Sequence, residues 1–192
     1  MKLLHEWAVV AWLLAGCHGL QPQGAAPGPA QEEFTVTRQG ELQVTLNRTF
    51  QAERNAVFEA MTTPALIRQW LSANGRELAE CEVDLREGGS YRYLFRMAGG
   101  QEFGMRGRYL EVHPPHRLVY TESYDGSDWP PLLVTARWQE QPGPITQLEI
   151  SVAYPDKAIC DYDIENLRQA GEVYHLLAAV LKSPTQADPD GR

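Results

Sequence analysis

Two charged side chains stand where regular strands would turn them inward: Arg48 between Leu46 and Phe50, and Glu122 between Tyr120 and Tyr124. A buried charge needs a partner. Three outcomes are therefore open: the two pair with each other, either one grips the polar head of a ligand, or a strand-end bulge turns them out to solvent. Tyrosines at inward positions offer hydroxyls that need a partner once buried, and a ligand could supply it. His113 and His116 flank Pro114-Pro115 at a spacing of three. That turn should be exposed and no Cys, Asp or Glu is bracketed with them at ligand spacing, so no metal site is expected. No Ser/His/Asp, Cys/His or phosphate-loop arrangement is visible, and no cofactor is expected. Cys81 and Cys160 could bridge in an oxidising compartment; the sequence leaves that open.

The chain has 192 residues, 43% hydrophobic and 22% charged, with 17 Lys and Arg against 25 Asp and Glu for a formal charge of −8. That is the composition of a globular protein with one core. The acidic balance supplies no cationic face for a phosphate backbone, so nucleic acid is not an expected partner.

The elements that must position these residues follow from hydrophobic period. Glu41 to Phe50 alternates, Leu42, Val44, Leu46 and Phe50 facing one way and Gln43, Thr45, Asn47 and Thr49 the other, which predicts a half-buried strand. Val57, Phe58 and Met61, then Pro64 with Leu66, Ile67, Trp70 and Leu71, predict two short helices. Six alternating segments follow: 81–85, 91–95, 103–112, 118–124, 132–138 and 146–154, punctuated by Gly and Pro pairs. Ile164, Leu167, Ala170, Gly171, Tyr174, Leu177 and Leu181 recur at three and four residues, predicting one terminal helix of about five turns whose stripe is buried on the sheet.

At the amino terminus, Lys2, the apolar run 7–14 and a small-residue ending read as a secretion signal, too short to span a bilayer. Leu14-Ala15-Gly16-Cys17 resembles the bacterial lipobox. The resemblance implies a signal peptide over 1–16, diacylglycerol on the Cys17 thiol, and export to the cell envelope. The lipid anchor would hold the protein on the periplasmic side of the outer membrane in a Gram-negative cell. Residues 17–33, with three prolines, read as a tether, residues 34–182 as the domain, and residues 183–192 as a loose tail.

One strand, two small helices, six strands and a long helix is the order of the START-like (SRPBCC) helix-grip fold. This is an α+β class in which a curved antiparallel sheet, here of about seven strands, wraps a long C-terminal helix. Phe58-Glu59-Ala60-Met61-Thr62 with Pro64 and Trp70, Val83-Asp84-Leu85-Arg86-Glu87-Gly88-Gly89, Gly107-Arg108-Tyr109-Leu110-Glu111-Val112 and Arg117-Leu118-Val119-Tyr120-Thr121 resemble the subfamily of homologues of the heat-shock-protein ATPase activator (AHSA-like). Most of these segments explain themselves as scaffold: Gly88-Gly89 permits a positive-φ turn, and Asp84 can pair with Arg86 on the outer face of a strand. The departure is Gly171-Glu172, where the family usually carries Gly-Trp.

The resemblance implies an internal cavity. Inward parity nominates Phe58, Trp70, Tyr91, Tyr93, Phe95, Phe103, Met105, Tyr120, Trp138, Tyr154, Tyr174 and Leu177 for it, with Arg48 and Glu122, and roughly half of these should touch a ligand while the rest are core. A small hydrophobic or amphipathic molecule is the expected partner, and a monomer the expected state, with a dimer left open. The alternatives are a polyketide-cyclase-like enzyme using the same cavity, for which the resemblance implies Tyr93, Glu122 and Arg48 as proton-transfer groups, and a protein-interaction module; export weighs against a partnership with a cytoplasmic chaperone.

Overall fold

The computed structural model describes residues 34–72 and 75–183. Cys17, the signal segment, the tether up to residue 33 and the tail from 184 lie outside the described residues. Eight strands form a single antiparallel sheet in the order β1-β2-β8-β7-β6-β5-β4-β3, with helices α1 to α4 in chain positions after β2 and after β8. The fold is the helix-grip α+β arrangement.

The strand predicted over 41–50 is β2 (Gln43–Phe50), and its alternation is used as expected: Val44, Leu46, Arg48 and Phe50 are buried. Before it runs β1 (Phe34–Gln39), paired antiparallel with β2 from Phe34↔Arg48 to Gln39↔Gln43. This eighth strand is absent from the sequence reading because its edge position leaves all six residues partly or wholly exposed, so no face of it carries a strict apolar repeat.

Helix α1 (Arg54–Thr62) buries Val57, Phe58, Ala60 and Thr62, and α2 (Pro64–Leu71) opens on Pro64, whose missing N–H costs nothing at a helix start. The Trp70 indole N–H donates to the Ala60 carbonyl at 2.9 Å, tying the two helices together.

Strands β3 (Arg76–Val83), β4 (Ser90–Met97), β5 (Glu102–His113), β6 (Arg117–Tyr124), β7 (Leu132–Gln141) and β8 (Ile145–Ala153) complete the sheet by successive antiparallel pairing. The predicted strand at 81–85 begins earlier, at Arg76, and ends at Val83. Asp84 and Arg86 do pair, at 2.9 Å, but in the exposed turn beyond the strand rather than on its outer face. Within that turn Gly88 has φ of +76°, a conformation that disfavours side chains.

The single terminal helix of the sequence reading is two: α3 (Lys157–Gln169) and α4 (Gly171–Lys182). Asp156 caps α3 by accepting from the Ile159 N–H at 2.9 Å. At the junction the Ala170 N–H bonds to the Leu167 carbonyl, three residues back, ending the regular helical ladder. Gly171 is seated against the Phe34 ring of β1, so close that a Cβ there would lie 3.1 Å from it. Helix α3 packs on β1 and β2, and α4 on α1 and α2.

The core is one large cluster between the sheet and the helices, and a smaller one at the β3 end formed by Ile67, Leu78, Cys81 and Phe95. Cys81 and Cys160 are both buried free thiols, one in each cluster, so no bridge joins them.

Candidate functional site

Inward positions behave differently along the sheet. On β2 and β8 they are closed and mainly aliphatic, with Arg48 and Phe50 among them. From β6 to β4 they are mostly tyrosines, and there a cavity of about 70 Å³ remains, lined by Met61, Thr62, Tyr91, Tyr93, Met105, Tyr109, Leu118, Tyr120, Glu122, Ala136 and Trp138. Roughly 10–15 Å³ admits one water molecule, so this space holds several or a small organic group.

Backbone geometry places the tyrosines. Tyr91 of β4 faces Gly107 of β5 in register. A Cβ at 107 would collide with the Thr121 carbonyl and lie 2.5 Å from the Tyr91 ring; the missing side chain lets that ring lie against the strand. Tyr109, two residues on, pairs with Tyr120 of β6 just before a bulge in β5. Tyr91 then touches three neighbours, with ring centroids at 5.2 Å to Tyr93, 5.7 Å to Tyr109 and 5.6 Å to Tyr120. Burial pushes all four phenol pKa values upward, so they remain neutral hydroxyls.

Glu122 is the charged residue of this wall, and its strand stays regular enough to keep it inward. It is half-buried; Oε1 accepts from the Tyr124 hydroxyl at 2.5 Å, and Oε2 lies 3.4 Å from the Tyr91 hydroxyl, which it shares with the Thr121 carbonyl at 3.3 Å. Burial raises its pKa to about 7, the bonds from Tyr124 and Tyr91 opposing the rise and the nearby Asp163 adding to it. Asp163 of α3 is itself buried, accepts from Tyr154 at 2.6 Å, and is pushed up by desolvation.

Arg48 has a different setting. It is 1% exposed, its Nη2 lies 3.4 Å from His175 Nδ1 of α4, and its guanidinium sits 5.6 Å from the centre of the Phe50 ring. The two inward charges thus face different neighbours, in different parts of the core.

Of the residues nominated from sequence, Tyr91, Tyr93, Met105, Tyr120, Glu122 and Trp138 line the cavity. The others lie elsewhere. Phe58 packs edge-on against Trp138 at 5.1 Å, and Trp70 is held by α1. Phe95 and Phe103 stack at 6.2 Å in and beside the smaller cluster. Tyr174 stacks on Phe34 at 5.8 Å, captured by the unforeseen strand β1, and Leu177 is fully enclosed. Met61, Thr62, Tyr109, Leu118 and Ala136 were not nominated. Parity could have found three: Tyr109 continues the row of Phe103 and Met105, Leu118 that of Tyr120 and Glu122, and Ala136 that of Trp138. Met61 and Thr62, at a helix end, carry no such signal.

His113 Nε2 lies 3.7 Å from Glu111 on an exposed corner, and among the described residues no three potential ligands come together as a metal site. Among those residues no helix is long and apolar enough to cross a membrane.

The fold and the cavity define a helix-grip domain with a small cavity between the sheet and the end of α1. Residues 51–179 match the family described as Activator of Hsp90 ATPase homolog 1-like protein, and the chain belongs to that family. A crystal structure of a protein from Rhodobacter sphaeroides is similar at 29% identity and a TM-score of 0.72, covering 78% of this chain and 97% of that one. A protein from Chromobacterium violaceum is similar at 27% identity and 0.62, covering 74% and 98%. An AHSA1-like protein from Aeromonas hydrophila, at 20% identity and 0.58 over 74% and 97%, shares the fold. No curated protein matches the chain.

Proposed function

We propose that this domain binds a small amphipathic molecule in the tyrosine-lined cavity and is held at the cell envelope by a lipid on Cys17. The observation that carries the binding reading is the pairing of an unfilled, aromatic-walled space with one half-buried carboxylate at its edge. An apolar wall supplies affinity, and one convergent polar group supplies orientation. The space is small, so the ligand is a compact molecule or the head of a longer one.

Native mass spectrometry of the protein purified gently from its own host, before and after organic extraction, tests the reading. A bound mass lost on extraction is expected; a clean apo mass in both samples would overturn it. For the anchor, the N-terminal peptide should carry diacylglycerol on Cys17, and Cys17→Ala should release the protein from membranes.

One feature favours a second, catalytic reading. With a pKa near 7, Glu122 could give or take a proton at neutral pH beside tyrosine donors. Turnover of a bound compound that Glu122→Gln abolishes without weakening its binding would replace the binding reading with the enzymatic one.

A further inference from the structure

From the wall of the cavity we infer the ligand's polar group: the site is built for a small organic cation, an ammonium group enclosed by tyrosine rings and facing the Glu122 carboxylate. This rests on the binding reading above and deepens it.

Three observations converge. First, Tyr91, Tyr93, Tyr109 and Tyr120 all border one space and pack at centroid distances of 5.2 to 6.0 Å with interplanar angles of 44° to 88°, so aromatic rings wall it. Ring faces carry negative potential, which attracts a cation that has shed its water. Second, the charge balance of the wall is one-sided. Glu122 is its single charged residue, with no Lys, Arg or His among the lining side chains. A half-buried carboxylate without a counter-charge bears part of the cost of leaving water, and a bound ammonium that closes the cavity supplies that counter-charge. Third, the carboxylate has capacity left: Oε1 accepts the Tyr124 hydroxyl, Oε2 shares the Tyr91 hydroxyl with the Thr121 carbonyl, and both oxygens retain a further lone-pair direction. An anionic ligand would meet repulsion from Glu122. A neutral apolar ligand would leave the carboxylate uncompensated.

Binding should then depend on the ionisation of Glu122. The phenols facing it, on β4, β5 and β6, stay neutral throughout the accessible range, as do Tyr154 and Tyr174 beyond them. Asp163 of α3, whose pKa is also raised, is the other acid that acts on Glu122. A Glu122→Gln variant separates the two.

Choline and its uncharged isostere 3,3-dimethylbutan-1-ol share size and shape and differ in charge, so the pair isolates the cationic contribution. Calorimetric titration of the full-length protein should show choline binding at least about tenfold tighter at pH 8. That preference should collapse at pH 5.5 and in Glu122→Gln at either pH. Glutamine keeps the size of the side chain, and thermal melting confirms that the variant is folded. Free choline against a short-chain phosphatidylcholine tells a soluble amine from a lipid headgroup, and a preference for either supports the cation class. Equal or tighter binding of the alcohol at pH 8 overturns the cation and leaves the cavity reading standing. So does a preference for choline that survives in Glu122→Gln. Binding of neither probe also overturns the cation, and the mass measurement above then decides the cavity reading separately.

Discussion

The two halves of the sheet obey the same alternation and end in opposite states. In β2 and β8 the inward row is Val44, Leu46, Arg48, Phe50, Leu148, Ile150 and Val152, side chains that close on the helices, and β7 lies at the border, with Val134 buried and Ala136 and Trp138 reaching the cavity. In β6, β5 and β4 the inward row is Tyr120, Glu122, Met105, Gly107, Tyr109, Tyr91 and Tyr93. Tyrosine is long, rigid and tipped with a group that seeks a partner, so its neighbours are positioned by hydroxyl and ring geometry as well as by volume. A glycine in the same row removes one side chain outright. The first half is filled and the second retains a cavity. Parity determines which residues point inward, and the chemistry of those residues determines whether the interior closes.

The largest test of this contrast is a matched pair of truncations. Leu148→Ala, in the closed half at 0% exposure, should cost about 4 kcal/mol in urea denaturation, since transfer and cavity terms add. Leu118→Ala, in the wall of the existing cavity, should cost about half of that; equal costs would erase the distinction.

The next effect is electrostatic. Glu122 has its pKa raised from 4.5 to about 7 in the folded state, so at acid pH both folded and unfolded forms hold the proton. As pH rises from about 4.5 to 7 the unfolded chain releases it first, and stability falls by up to about 3 kcal/mol before levelling off. Solvent reaching this half-buried group through the cavity reduces that figure. Glu122→Gln should remove this part of the pH slope; an unchanged profile would mean the carboxylate is effectively solvated.

Gly107→Ala should cost about 2 kcal/mol, because the new methyl collides with the Thr121 carbonyl and the Tyr91 ring. It should also weaken any cavity ligand, whereas the same loss of stability introduced in β8 should not. Smallest of all, Tyr124→Phe should cost about 1 kcal/mol. It should raise the Glu122 pKa measured by NMR more than Tyr91→Phe does, since the Tyr124 bond is 2.5 Å and the Tyr91 bond 3.4 Å.

The fold was legible in the sequence because most of it follows from period. Residues 43–50 and the segments from β4 to β8 alternate strictly enough to be located within a few residues. The misses have local causes. Strand β1 lies at an edge with little burial, and the break at 170 falls inside a stripe that remains in phase on both sides of it. Inward tyrosines on β4 and β6 were also legible. The aromatic residues that stand outside the cavity were not distinguishable, since Phe58, Phe95 and Tyr174 are inward too and are withdrawn by particular neighbours, Trp138, Phe103 and Phe34. Such neighbours belong to tertiary structure and leave no periodic trace.

The break at Ala170 also has a mechanical meaning. One rigid rod laid across the sheet would carry a displacement at one end to the other. Two rods divide that load: α3, seated on β1 and β2, holds the N-terminal strand, while α4 is seated on α2 and on α1, whose last residues border the cavity.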